Sequence, residues 1–298
     1  MKIIRPVTID DAVFQSSDVP ENDYAAWAVG TTYAAGDRVI VTTGYHKIYE
    51  SKLGGNVGND PTTDDGTNWL EVSSTNRWKM FDAIVQDQTV QATQIVTTLQ
   101  SPTVVNSMAF LNVVATTIEV TVTDAVEGVV YDETFNMTSY SGIQDWYSYF
   151  FEPIIRKDQL AITDLPPYAN ASIEVTINSA TDAKIGALVM GQFADLGLSQ
   201  HGASLSIIDY STKTTDAQGR VTITDGPYAD KMEVDVILDT SQIGQANTTL
   251  SSLRTTPAVW IAEDNNDDLV IYGYYREFDI ILSNPTISRL SLEIEGLV

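Results

Sequence analysis

The 298-residue chain has no cysteine and only two histidines, His46 and His201. Without cysteine there are no disulfide scaffolds, thiolate zinc sites or cysteine nucleophiles. Two histidines leave little basis for histidine acid–base chemistry or for a multi-histidine metal site. The motifs of serine hydrolases, zinc proteases, P-loop NTPases and dinucleotide-binding enzymes are also missing. We therefore predict a protein that is not an enzyme and that uses no cofactor.

Long apolar runs are missing as well. No stretch approaches the length that spans a bilayer, and residues 1–6 lack the apolar core and cleavage site of a signal peptide. These features predict a protein that is made in the cytoplasm and that does not insert into a membrane.

Basic residues are few: 16 against 40 acidic residues, which gives a net charge of −24. Such a field repels phosphate backbones, so we expect no nucleic-acid partner. It also keeps a concentrated protein soluble before it assembles. Adaptation to salt or a calcium-loaded surface would give the same charge. Acidic groups at 59–65 and 263–268 offer hard oxygens, but neither has EF-hand spacing, so we predict solvated turns and no metal site.

The most distinctive stretch is rich in aromatic residues and covers residues 24–72. Two short alternating segments, 37–41 and 45–49, flank Thr43-Gly44, a pattern typical of a hairpin with a two-residue loop. A unit of this size cannot bury a large aliphatic core, so aromatic rings must provide most of its packing.

The rings of this stretch have two possible roles, packing and glycan binding. We predict that Trp27 and Trp69 belong mainly to the core and that Tyr33, Tyr45 and Tyr49 form the exposed face. All five are candidates for glycan binding, because sugars dock on aromatic faces. His46, between two tyrosines, is predicted to face solvent from a strand.

The rest of the chain alternates short β-branched runs with turn residues, which favours antiparallel strands. We predict an all-β dominated fold with four parts: an extended arm (1–20), the small aromatic carbohydrate-binding-like module (21–74), a jelly-roll-like β-sandwich (75–190) and a C-terminal β domain (191–298). One helix is predicted over about 241–253, where Ile243, Ala246, Leu250 and Leu253 form one apolar stripe.

An aromatic cluster at residues 139–151 allows two interpretations. It is either a ligand platform at a sandwich edge or a crossing loop whose rings plug the open end of the sandwich. The plug is favoured, because large rings are usually buried.

Two segments are predicted to contact other subunits by extending a sheet. They are the arm, with Ile3, Ile4 and Val7, and the C-terminal strand, with Leu290, Leu292 and Ile294. Deletion of residues 1–14 is expected to leave a folded protein that cannot assemble.

The aromatic stretch resembles the small carbohydrate-binding module of bacterial chitinases and bacteriophage tail proteins. The matching positions are Trp27, Tyr33, Gly36, Asp37, Val39, Tyr49, Pro61 and Trp69. Sugar-binding members of that family carry exposed tryptophan just after the Tyr49 position, whereas this chain has residues 50–53, Glu-Ser-Lys-Leu.

Most of the chain also resembles a family of virion proteins of tailed bacteriophages. The segments that carry this resemblance are 76–82, 165–168, 207–210, 257–261 and 292–297. It implies a structural part of the virion tail, at its distal end, in several copies around the tail axis. The implied partners are other tail proteins and copies of the chain itself. The alternative is a tail protein that reads a host surface glycan through the aromatic module.

Overall fold

The structure is a computed structural model that describes residues 1–139, 145–151, 155–200, 202–216, 218–263, 269–282 and 284–297. Tyr140, His201 and most of the acidic turn at 263–268 lie outside these residues. Antiparallel strands dominate the described chain, which confirms the predicted all-β dominated fold. None of the helices in these residues has the length and apolar character to cross a membrane.

The first strands are β1 (Lys2–Pro6), β2 (Phe14–Ser17), β3 (Arg38–Val41), β4 (Lys47–Ser51) and β5 (Trp69–Ser74), followed by a 3-10 turn (Lys79–Phe81). The middle of the chain forms β6 (Thr89–Gln100), β7 (Ser107–Val114), β8 (Thr117–Asp124), β9 (Gly128–Asn136), β10 (Thr138–Ser139), helix α1 (Trp146–Phe151), β11 (Ile155–Arg156), β12 (Leu160–Ile162) and β13 (Ser172–Asp195). The last part forms β14 (Leu198–Ser199), β15 (Ser204–Asp209), β16 (Thr212–Thr215), β17 (Val221–Thr224), β18 (Tyr228–Asp239), a 3-10 turn (Thr240–Gln242), helix α2 (Ile243–Ser252), β19 (Ala258–Ile261), β20 (Val270–Ile281) and β21 (Ile287–Gly296).

Strand β13 is the spine of the main sheet. It runs for 24 residues, with a register shift between Asn178 and Asp182. Strand β6 pairs with β13 on both sides of the shift, β8 pairs with it before the shift, and β7 and β1 pair with it after the shift. The predicted domain boundary at 190 and 191 is therefore wrong, because it falls inside this strand.

The predicted N-terminal arm is also wrong, because β1 is an interior strand. It lies antiparallel between β13 and β19, where Ile4 pairs with Phe193 on one side and Val259 on the other. Ile3 and Ile4 are both fully buried, in two different clusters, as expected for neighbours that point to opposite faces of a sheet. An apolar extended segment looks the same whether it completes its own sheet or a neighbour's, so the pattern alone did not distinguish the two.

Three apolar clusters surround this sheet. The first fills the space between the strands of residues 89–190, and the second lies between the C-terminal strands and α2. The third, which contains Ile4, connects the two halves on the opposite face of the sheet. Helix α2 confirms the predicted helix, with Ala246, Leu250 and Leu253 buried.

The predicted C-terminal interface is wrong for the same reason as the arm. Strand β21 has β18 on one edge and β20 on the other, so neither edge is open to another subunit. Leu290, Leu292 and Ile294 are buried in the second cluster. Val7 packs partly buried against the first cluster, and its N–H donates to the Met190 carbonyl at 2.8 Å.

We predict that Ile4→Ala lowers the free energy of unfolding by about 2–5 kcal/mol, the usual cost of truncating a buried aliphatic side chain. Denaturant unfolding followed by circular dichroism measures this change. Val126→Ala is the control, because Val126 is 92% exposed in a turn. Deletion of residues 1–6 should leave no stable fold, and a truncated chain with an unchanged unfolding midpoint would contradict this role for β1.

Candidate functional site

Most of the predicted glycan-binding rings form the core of the aromatic module. Tyr33, Tyr49 and Trp69 are only 8%, 6% and 2% exposed and pack with Val39. The rings of Tyr33 and Trp69 meet edge to face with centroids 5.2 Å apart. Trp27 packs against this cluster and is partly buried. Trp69 thus lies in the core as predicted, whereas the prediction that Tyr33 and Tyr49 are exposed is wrong.

Tyr33 and Tyr49 are buried because the module is small. Its sheet consists of β3, β4 and β5, and Val39 and Tyr49 are direct cross-strand partners. Cross-strand partners point to the same face, so Tyr49 follows Val39 into the interior. With few aliphatic residues available, the tyrosines themselves supply the buried area.

Tyr45 differs from the other four rings, because it is 51% exposed in the loop between β3 and β4. The predicted two-residue loop is wrong: pairing ends at Val41 with Lys47, which leaves a five-residue loop, 42–46. Gly44 and His46 both have positive φ, at 72° and 51°. This backbone conformation is uncommon for a residue with a side chain, and it turns the His46 side chain back toward the body of the protein.

His46 does not face solvent from a strand, contrary to the prediction. Its Nδ1 lies 2.9 Å from Glu21 Oε1 and its Nε2 lies 2.6 Å from Asp11 Oδ1. The ring stacks on Trp78, with centroids 3.8 Å apart and planes at 15°. Both ring nitrogens of His46 therefore lie within hydrogen-bond distance of a carboxylate oxygen.

Glu21 extends this network to the end of the module. Its side chain is only 8% exposed, accepts a hydrogen bond from Thr75 Oγ1 at 2.8 Å and lies 3.5 Å from Arg77 Nη1. Residue 21 leads into the module and residues 75–77 lead out of it. We call Asp11, Glu21, His46, Thr75 and Trp78 the docking cluster, because together they hold the module against the body.

A crevice of about 440 Å³ lies beside the docking cluster. Tyr45, Lys47, Phe81 and Asp82 are among the residues that line it. Burial raises the pKa of Asp82, and hydrogen bonds from Ser74 and from the Ile84 N–H oppose that shift. Its Oδ2 is buried and has no hydrogen-bond partner among the described residues.

The acidic turn at 59–65 has a structural role. Asp64 Oδ2 accepts hydrogen bonds from the N–H groups of Gly66, Asn68 and Trp69, each at 3.0 Å, and Oδ1 accepts one from Asn68 Nδ2 at 2.7 Å. Burial alone would raise the pKa of Asp64, but these bonds outweigh it and lower the pKa. Within the described ranges, no three His, Asp or Glu side chains converge as a metal site would require.

The aromatic cluster predicted as a plug is exposed where the structure describes it. Helix α1 carries five aromatic side chains, which we call the α1 rings. They are between 57% and 78% exposed. They belong to Trp146, Tyr147, Tyr149, Phe150 and Phe151. They contact one another at helical spacing, for example Tyr147 with Phe151 at 5.0 Å. The plug prediction is wrong for these residues, because six consecutive helical positions point in all directions and cannot all face one core.

Sequence patterns did not indicate the docking cluster. Its hydrogen bonds join residues 25, 35 and 54 positions apart, and no local periodicity reports such distances. The nearest local signal is Trp78 and Phe81, which are three positions apart just after the module and whose ring centroids lie 5.4 Å apart. No protein-family model, curated protein or solved structure matches the chain.

We predict that His46→Ala lowers the free energy of unfolding by about 1–3 kcal/mol, because it leaves the nearly buried Glu21 carboxylate without one donor. The module should also become more sensitive to proteolysis at its two connections. Tyr45→Ala, at the exposed neighbouring position, should change stability by no more than about 0.5 kcal/mol. Equal effects of the two variants would show that the docking cluster does not hold the module.

We predict that the packing around Trp69 weakens in acid. A lowered pKa in the folded state means that Asp64 stabilises the fold above its unfolded pKa of about 3.9 and that this contribution is lost as pH falls through the folded pKa. The Trp69 indole N–H signal in NMR, which reports its bond to the Asn59 carbonyl, measures this loss.

Asp64→Asn should weaken the same signal at neutral pH. Asp65→Asn is the matched control, since its Oδ1 accepts only the Thr67 N–H in the described structure. A signal that responds equally to both substitutions would contradict the assignment to Asp64.

Proposed function

We propose that this chain is a structural subunit of a tailed-bacteriophage virion, located in the tail at its distal end, in several copies around the tail axis. The observation that carries the proposal is the exposure of the α1 rings. Exposed apolar patches of this kind mark surfaces that are covered by another molecule. Aromatic residues are also enriched in protein–protein contacts.

The attachment of the aromatic module to the body supports a structural role, because it is rigid. The stacked His46 and Trp78 rings and the nearly buried Glu21 join the module to the body at both of its connections. A part that must hold its shape in an assembly benefits from such fixed attachments, since each ordered contact lowers the cost of ordering on assembly.

Reading a host surface glycan through the module is the second candidate. Three of its five predicted rings, Tyr33, Tyr49 and Trp69, are in the module core and offer no face to a sugar. What favours this candidate is the crevice, where the Tyr45 ring is exposed. One exposed ring is a smaller platform than such sites normally use, so we rank the structural role first.

We predict that antibodies raised against the purified chain label the tail of intact particles in negative-stain electron microscopy. Mass spectrometry of purified particles should detect several copies per particle. Pre-immune serum is the control for labelling. Finding the chain only in the soluble fraction of infected cells would contradict the proposal.

The glycan-reading candidate has a separate test. Binding of the purified chain to host polysaccharide that is abolished by Tyr45→Ala, with the fold retained, would favour it. Binding that is unaffected by Tyr45→Ala would exclude the crevice as the site.

A further inference from the structure

A second crevice lies where the two halves of the chain meet. Its volume is about 270 Å³, and residues from both halves line it. Its apolar lining includes Leu111, Val270 and Ile271, which are nearly fully buried. It shares no lining residue with the crevice beside the docking cluster, so it is a separate site. We call it the inter-half crevice.

Two carboxylates line the inter-half crevice, one from each half. Asp158 lies between β11 and β12, where its carbonyl accepts a hydrogen bond from the Val113 N–H at 2.8 Å. Asp230 lies on β18, opposite Ile207 of β15. Among the described residues neither carboxylate has a hydrogen bond or an ion pair. No lysine or arginine is among the residues that line the crevice.

The two carboxylates lie close enough to affect each other. Desolvation raises the pKa of Asp230, and the negative charge of Asp158 raises it further. Exposed aspartates that accept several hydrogen bonds behave differently, since the N–H groups of residues 125–127 lower the pKa of Asp124. A positive charge beside Asp230 would favour its ionised form. The fold supplies no such charge at this crevice among the residues that line it, so a ligand has to bring it.

The lining of the inter-half crevice is held in place by hydrogen bonds. The Val85 carbonyl accepts one from Asn112 Nδ2 at 2.8 Å, and Gln86 Nε2 donates one to the Tyr228 carbonyl at 3.2 Å. The Val85 carbonyl also lies directly on Gly186, where an added Cβ would be 2.0 Å from its oxygen. The segment that carries Val85 and Gln86 is therefore fixed against the body. A site that is already ordered costs less entropy to occupy.

We infer that the inter-half crevice binds a guanidinium group between the carboxylates of Asp158 and Asp230. A guanidinium is a planar cation with a fork of N–H donors, and it can bond to carboxylates through several hydrogen bonds at once. It also packs on aromatic rings, and Tyr228 and Tyr272 are among the lining residues. The inference does not rest on the proposed function, because the crevice is complete in a single copy of the chain.

Other ligand classes fit this crevice less well. Calcium takes about six to eight oxygen ligands, whereas no three acidic side chains converge in the described part of the chain. A phosphate or carboxylate ligand would be repelled by two carboxylates that have no cation beside them. An organic cation requires neither a full set of oxygen ligands nor a basic side chain.

Calorimetric titration of the full chain with N-acetyl-L-arginine amide tests the inference. The matching citrulline compound has the same shape without the side-chain charge, and the matching lysine compound has the charge without the planar fork. The arginine compound is expected to bind. Each of the other two is expected to bind at least about tenfold more weakly, because it lacks the charge or the geometry of a charge-assisted pair.

Substitutions locate the binding site. Asp158→Asn and Asp230→Asn should each raise the dissociation constant of the arginine compound at least about tenfold, because each removes one of the two charged acceptors. Glu174→Gln is the matched control. It removes the same charge from an exposed position on β13 that does not line the crevice, so it should leave the constant unchanged. Circular dichroism shows whether the variants keep the fold.

Methylguanidinium distinguishes two sources of the ligand. Binding of both methylguanidinium and the arginine compound would support a crevice that admits an arginine side chain of another protein. Binding of methylguanidinium alone would support a site for a free small molecule.

Three results would overturn the inference. The first is the absence of saturable binding of either guanidinium compound. The second is binding of the citrulline or lysine compound as tight as that of the arginine compound. The third is an equal loss of binding in Glu174→Gln, which would show that only the net charge of the chain attracts the cation.

Discussion

The pairing of β1 between β13 and β19 is the constraint on which the rest of the structure depends. It brings the first residues of the chain against strands near positions 193 and 259 and makes one continuous sheet of two halves that would otherwise each end in an open edge. Ile3 and Ile4 then fill clusters on opposite faces of that sheet. Because these apolar residues are used inside the subunit, any contact between subunits has to use other surfaces.

The aromatic module shows how size limits function. Its three short strands contain few aliphatic side chains, so Tyr33, Tyr49 and Trp69 are buried to give it a core. The rings that stabilise the module are then not available to a ligand. The docking cluster also makes ring surface unavailable to a ligand, because His46 covers one face of Trp78. What remains open is the crevice at the junction, where Tyr45 and Asp82 lie.

Charge and apolar surface act together in the proposed assembly. A strongly acidic chain stays dispersed at high concentration, while exposed rings favour association. In this chain five exposed rings lie together on helix α1, from Trp146 to Phe151.

The sequence by itself determined what depends on local pattern: the all-β class, helix α2 with its buried stripe, and the location of Trp69 in a small aromatic core. Tertiary structure decided whatever depends on which distant segments meet. Alternation predicts that Ile3, Ile4, Leu290 and Leu292 belong to extended apolar strands. It does not predict which strands they pair with. The strands that pair with the first two residues come much later in the sequence, and only the fold brings each pair of strands together. The docking cluster is the clearest case, because Asp11, Glu21 and His46 have no pattern in common. These three residues come together only because the β3–β4 loop folds back onto the body. No local periodicity reports contacts between residues so far apart in the sequence.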